Sequence, residues 1–115
     1  MKNLIIEAPS IPLCINGHEF SFVPDSGFAE KLSLLADEAG KRAEESKGKG
    51  EDLCEASAFL SYAVDTLIGD GAVETIFGDV LPDPIDLCDI LGYVADAFHS
   101  YRRRRLRALK EGSQW

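Results

Sequence analysis

A chain of 115 residues, 45% of them apolar, has the material for one domain with a modest core. Its 20 acidic residues against 12 basic ones leave a net charge of −8, a body that repels nucleic-acid phosphates and anionic headgroups. Cys14, Cys54 and Cys88 are odd in number, far apart and without a CxxC pair, and no apolar run approaches the ~18–20 residues that span a bilayer. A disulfide-built secreted domain, a leader peptide and a membrane span are therefore not expected, and the expected location is the reducing cytoplasm.

Residues 3–23 read as β structure. Leu4-Ile5-Ile6 is a short apolar run, and Pro9 and Pro12 punctuate the stretch after it. Leu13 and Ile15 then alternate with Cys14 and Asn16, and beyond Asn16-Gly17 come His18, Phe20 and Phe22. Asn-Gly suits a type I′ turn, whose two central residues need positive φ. The pattern predicts a hairpin with strands near 11–15 and 18–23, the first placed at an edge by Pro12.

Pro24-Asp25-Ser26 stops the strand and offers Asp25 or Ser26 as a helix cap. Phe28, Leu32, Leu35, Ala39 and Ala43 recur at helical spacing, which predicts a helix over 26–46. Lys47-Gly48-Lys49-Gly50 reads as a flexible tip. A second helix carries Leu53, Ala56, Leu60, Ala63, Val64 and Leu67 and closes at Gly69. A short third helix over about 72–77 ends at Gly78. Leu81-Pro82-Asp83-Pro84 opens the last helix, with Asp83 as cap, Pro84 at the first helical position and Asp86 in the first turn. Its apolar stripe is Leu87, Leu91, Val94, Phe98 and Tyr101. The expected fold class is α+β, mostly α, an N-terminal β-hairpin followed by about four helices. It forms one domain with a hairpin region at 1–24, a helical body at 25–100 and a basic helix end at 101–115.

Candidate chemistry is sparse. Cys14 and His18 flank a predicted turn and His99 sits elsewhere, unlike the close ligand pairs of zinc sites, so the thiols are expected to be buried or half-buried small hydrophobes. Cys88 and His99 lie eleven positions apart on one predicted helix, ~16 Å, too far for a nucleophile–base hydrogen bond. Gly69-Asp70-Gly71 follows a helix rather than a strand and lacks a Gly-Lys-Ser/Thr, so it reads as a helical corner. Asp79, Asp83, Asp86 and Asp89 lack the alternation, glycine and glutamate of a calcium loop. No catalytic group, metal site or cofactor is predicted, and the chain is not expected to be an enzyme or to take a small-molecule substrate.

After Tyr101 six basic residues stand against one acidic residue, and before it six stand against nineteen. Arg102, Arg103, Arg104 and Arg105 cover the whole circumference of a helix and no aromatic side chains interleave with them to stack bases. The favoured reading is a solvated helix end complementing the helix dipole, then a contact with a protein partner or a second copy, and last a nucleic acid.

The run Ile15-Asn16-Gly17-His18-Glu19-Phe20-Ser21-Phe22, the helix opening Phe28-Ala29-Glu30-Lys31, the corner Gly69-Asp70-Gly71-Ala72-Val73-Glu74-Thr75-Ile76-Phe77-Gly78 and the Pro82-Asp83-Pro84 start together resemble the small tail assembly chaperones of long-tailed bacteriophages of Gram-positive hosts. The resemblance covers about residues 13–100 and leaves out residues 4–12 and the arginine-dense end. It implies a non-enzymatic protein, in a host or prophage context, that coats a long helical tape measure protein and keeps it soluble until tail-tube subunits polymerise. Such proteins often come in a short form and a frameshifted longer form, and a slippery stretch near codons 110–114 would strengthen the resemblance. A client groove is expected between the first and last helices, near Phe28, Leu32, Phe98 and Tyr101, with self-association as a further expectation. The alternative is a small prophage or host adaptor that binds an acidic partner through Arg102, Arg103, Arg104 and Arg105.

Overall fold

The computed structural model describes residues 2–5, 9–45 and 53–112. The order is β1 (Ile11–Ile15), β2 (His18–Phe22), α1 (Ser26–Glu45), α2 (Leu53–Ile68), α3 (Ala72–Phe77) and α4 (Pro84–Glu111). A hairpin followed by four helices is the α+β, mostly α class expected. The predicted tip at residues 47–50 lies outside the described residues.

Asn16 and Gly17 take φ values of 51° and 81°, the positive pair that a tight hairpin turn demands. The strands pair antiparallel, with Ile11 opposite Phe22, Leu13 opposite Phe20 and Ile15 opposite His18. One face of β1 is therefore apolar and buried, while Pro12 and Cys14 face out. Leu4 and Ile5, read as β structure, are unpaired and exposed. Pro9 and Pro12 remove the amides that a longer ladder needs.

Asp25 caps α1, its Oδ1 accepting from the Phe28 amide at 2.8 Å. Asp83 caps α4 in the same way, accepting from the Ile85 amide at 2.7 Å with Pro84 at the first helical position. Gly69 and Gly71 both have positive φ at the α2–α3 corner, and Asp65 Oδ1 accepts from the Val73 amide at 3.0 Å, so the corner's free backbone donor is satisfied. A second cross-link is Ser57, almost fully buried, whose hydroxyl donates to the Pro82 carbonyl at 2.9 Å and holds the α3–α4 connection against α2.

One core runs through every element: Ile11, Leu13, Ile15 and Phe22 of the hairpin, Phe28 of α1, Val64, Leu67 and Ile68 of α2, Ala72 and Ile76 of α3, and Leu87, Ile90, Val94 and Phe98 of α4. Phe28 is the hinge of this assembly. Its ring stacks on Phe22 at 4.3 Å between centroids and meets Phe98 at 5.1 Å, joining hairpin, α1 and α4. The Cys14 amide donates to the Tyr93 hydroxyl at 3.2 Å, fixing the outer edge of β1 on α4.

The molecule is long for its size. Its principal extents are 64 × 29 × 19 Å and its radius of gyration is 17.4 Å, against about 13 Å for a compact chain of this length. Phe98→Ala is expected to cost ~3–5 kcal/mol of unfolding free energy, because it leaves a void beside Phe28. Asp83→Ala removes only an exposed cap and is expected to cost ~1 kcal/mol. Urea unfolding of the two variants checks both values and their order.

Candidate protein-binding surface

α4 spans 28 residues, so it is ~42 Å long. Leu87, Ile90, Val94 and Phe98 are its buried residues, and Leu91 and Tyr101 are partly covered by the same core. Ile90 belongs to the buried stripe although the sequence pattern singled out only Leu91 beside it. Cover ends at Tyr101. Residues 102–111, the rest of the helix, are exposed.

The residues expected near a client groove separate into two groups. Phe28 and Phe98 are buried, at 6% and 3% exposure, and serve the core. Leu32 and Tyr101 are partly buried at the core's margin, where each keeps an edge toward solvent. Arg102, Arg103, Arg104 and Arg105 are exposed. The Arg102 guanidinium lies 5.6 Å from the Phe98 ring centroid, and Arg103 donates to the Ser100 hydroxyl at 3.2 Å. The helix thus ends in a cationic arm, its charges spread around the axis, on a body that is acidic.

The expectation of covered thiols fails for two of the three cysteines. Cys14 and Cys88 are exposed. Cys14 occupies an outward position of β1, and Cys88 follows the fully buried Leu87 on a flank of α4 beside the core stripe. Cys14 instead borders a shallow, open depression where the hairpin meets α4, lined also by Ile15, Asn16, Asp89, Ile90 and Tyr93. Among the described residues no group of three or more His, Cys, Asp or Glu side chains could hold a metal ion. Among them, too, no helix is long and apolar enough to cross a membrane.

Exposed apolar side chains are the surface feature that periodicity alone did not single out. Leu34 on α1, Tyr62 on α2, Val80 and Leu81 before α4, and Ile85, Leu106 and Leu109 on α4 are each more than half exposed. A contiguous apolar patch on a surface marks a contact site, whereas single exposed apolar side chains are ordinary. The signal lay in α4 itself, where Ile85, Leu106 and Leu109 sit off the core stripe. No family model, curated protein or solved structure matches the chain.

Because the arm lies beyond the core, Arg104→Ala combined with Arg105→Ala is expected to change unfolding free energy by less than ~0.5 kcal/mol, the usual range for surface substitutions. Thermal and urea unfolding of the double variant checks this, and a larger loss would mean that these arginines support the fold.

Proposed function

We propose that this chain is a non-enzymatic protein-binding domain of the phage tail assembly chaperone type, which holds a long helical client such as a tape measure protein soluble in the bacterial cytoplasm. The observation that carries the reading is the exposed apolar surface on three helices of a small acidic domain. An amphipathic helix docks by laying its apolar face on such a surface, and the half-covered Leu32 and Tyr101 lie at the margin of the core from which a groove would start. The excess of negative charge keeps a crowded chaperone–client complex dispersed and disfavours binding to DNA. The "ING-x-E-F-x-F" opening and the "G-D-G-A-x-x-x-I-F-G" corner add the family resemblance, and both motifs shape turns rather than chemistry.

The exposed Arg102, Arg103, Arg104 and Arg105 favour a second reading, an adaptor that engages an acidic partner through the end of α4. The two readings make different demands on the same residues. Charge attraction to an acidic partner weakens steeply with salt and is lost when the arginines are replaced, whereas apolar docking of a helix survives both.

Co-expression with a long heptad-rich protein encoded beside this chain is the test. The client is expected to become soluble and to co-purify, and to do so equally when all four arginines are replaced by glutamine. A client that stays insoluble overturns the chaperone reading, and capture that disappears with the arginines transfers the function to the adaptor.

A further inference from the structure

A flank of α4 beside the core stripe carries its own periodicity. Ile85, Cys88, Gly92, Ala95, His99, Arg102, Leu106 and Leu109 succeed one another at steps of three and four residues throughout, the seam spacing of a coiled coil. Ala95 is half-buried and the other seven are exposed, Ile85, Leu106 and Leu109 at 71%, 56% and 67%. Gly92 is the unexpected member. A side chain at that position would meet nothing within 4 Å among the described residues, so no packing among them explains a glycine in mid-helix, where it costs ~1 kcal/mol relative to alanine. Such a glycine fits a close approach from outside.

From this row we infer that two copies of the chain pair antiparallel through this face of α4. The row matches itself only when reversed about a point between Ala95 and His99. Ile85 then meets the partner's Leu109, Cys88 meets the partner's Leu106, Gly92 meets the partner's Arg102 and Ala95 meets the partner's His99. Large apolar groups close both ends of the seam. At its middle each long or ringed side chain faces a small one, which lets the axes come near and lays the Arg102 stem along the glycine. The contact is ~36 Å long.

The flanking charges select the same orientation. Along one border of the seam stand Asp89 and Asp96 in the first half, then Arg103 and Arg107 in the second, all exposed. A parallel mate sets Asp89 and Asp96 against the opposite border of the other helix, at the positions of Pro84 and Leu91, where no cation stands. The antiparallel mate places Asp89 between the partner's Arg103 and the partner's Arg107, each ~3 Å away along the axis. The single like-charge approach is Asp96 to its own symmetry mate near the axis, with His99 and Arg102 of both copies in the seam beside it. The interface is isologous, so it closes at two chains and does not propagate into a fibre. It takes up the exposed apolar residues of α4 and leaves Leu32, Leu34, Tyr62 and Tyr101 outside the seam.

Sedimentation equilibrium of the intact chain at roughly 100 µM is expected to give twice the chain mass, with dissociation on dilution through the micromolar range. Leu106→Asp combined with Leu109→Asp is expected to give the monomer with unchanged helicity. Orientation is read from Leu106→Cys in a chain whose Cys14 and Cys54 are replaced by alanine. On diamide oxidation this variant is expected to form a dimer linked between Cys88 of one copy and the introduced thiol at position 106 of the other. One chain cannot close that bond within itself, because the two positions lie ~27 Å apart on a single helix. A monomer at the highest concentration, a dimer unaffected by the two aspartates, or a cross-linked dimer joined only between the two introduced thiols overturns the proposal.

Discussion

The arrangement of this molecule follows from a mismatch of lengths: α4 is longer than the body that covers it. α2 and the hairpin pack along its first half, where Leu87, Ile90, Val94 and Phe98 enter the core, and they leave the helix at Tyr101. A small domain has only enough apolar surface to build one such core. Everything beyond the end of that core, and everything on the far side of the helix, must meet water or another molecule. The Phe22–Phe28–Phe98 cluster fixes where the division falls, because it ties the hairpin and α1 to α4 one turn before cover ends.

That division sorts the surface of α4 into faces with different tasks. The core stripe holds the fold. The side near the hairpin is occupied by the Cys14–Tyr93 hydrogen bond and the shallow depression around it. The third face is open, and it is there that Ile85, Cys88, Gly92, Ala95, Leu106 and Leu109 align. Pairing two chains across that face hides the apolar residues least compatible with a free monomer, and it orders the arginine arm by setting it against the acidic half of a second helix. Leu32 and Tyr101 at the core's margin, together with Leu34 and Tyr62, stay available to a client, so a dimer would present two such surfaces at once.

The elements governed by local backbone chemistry were legible in the sequence. Asn16-Gly17 placed the hairpin turn, Asp83-Pro84 placed the start of α4, and the glycines at 69, 71 and 78 bounded α3, because each residue type meets a conformational demand that few others satisfy. Three-dimensional neighbours were not legible. Cys14 and Cys88 were expected to be buried or half-buried on residue type alone, but their positions on β1 and α4 leave them exposed. Leu4 and Ile5 suggested a strand, yet β propensity without a partner makes no ladder. The part-buried bond from Ser57 to Pro82 joins residues twenty-five apart and leaves no periodic trace. Of the expected groove residues, Phe28 and Phe98 lie inside and Leu32 and Tyr101 at the margin, a distinction that depends on how far the hairpin reaches over α4. The second seam of α4 was present in the spacing, masked by the arginines that interrupt it.

A second chain that covers this flank and the outer end of α4 must leave its mark on the backbone there. Amide hydrogen exchange along α4, measured as protein concentration is lowered, tests this directly. A bare helical extension frays, whereas a covered one is held closed by the contact. Residues 102–111 are predicted to exchange nearly as slowly as residues 87–98 in concentrated protein and to lose that protection on dilution. Rapid exchange of residues 102–111 at every concentration would contradict it.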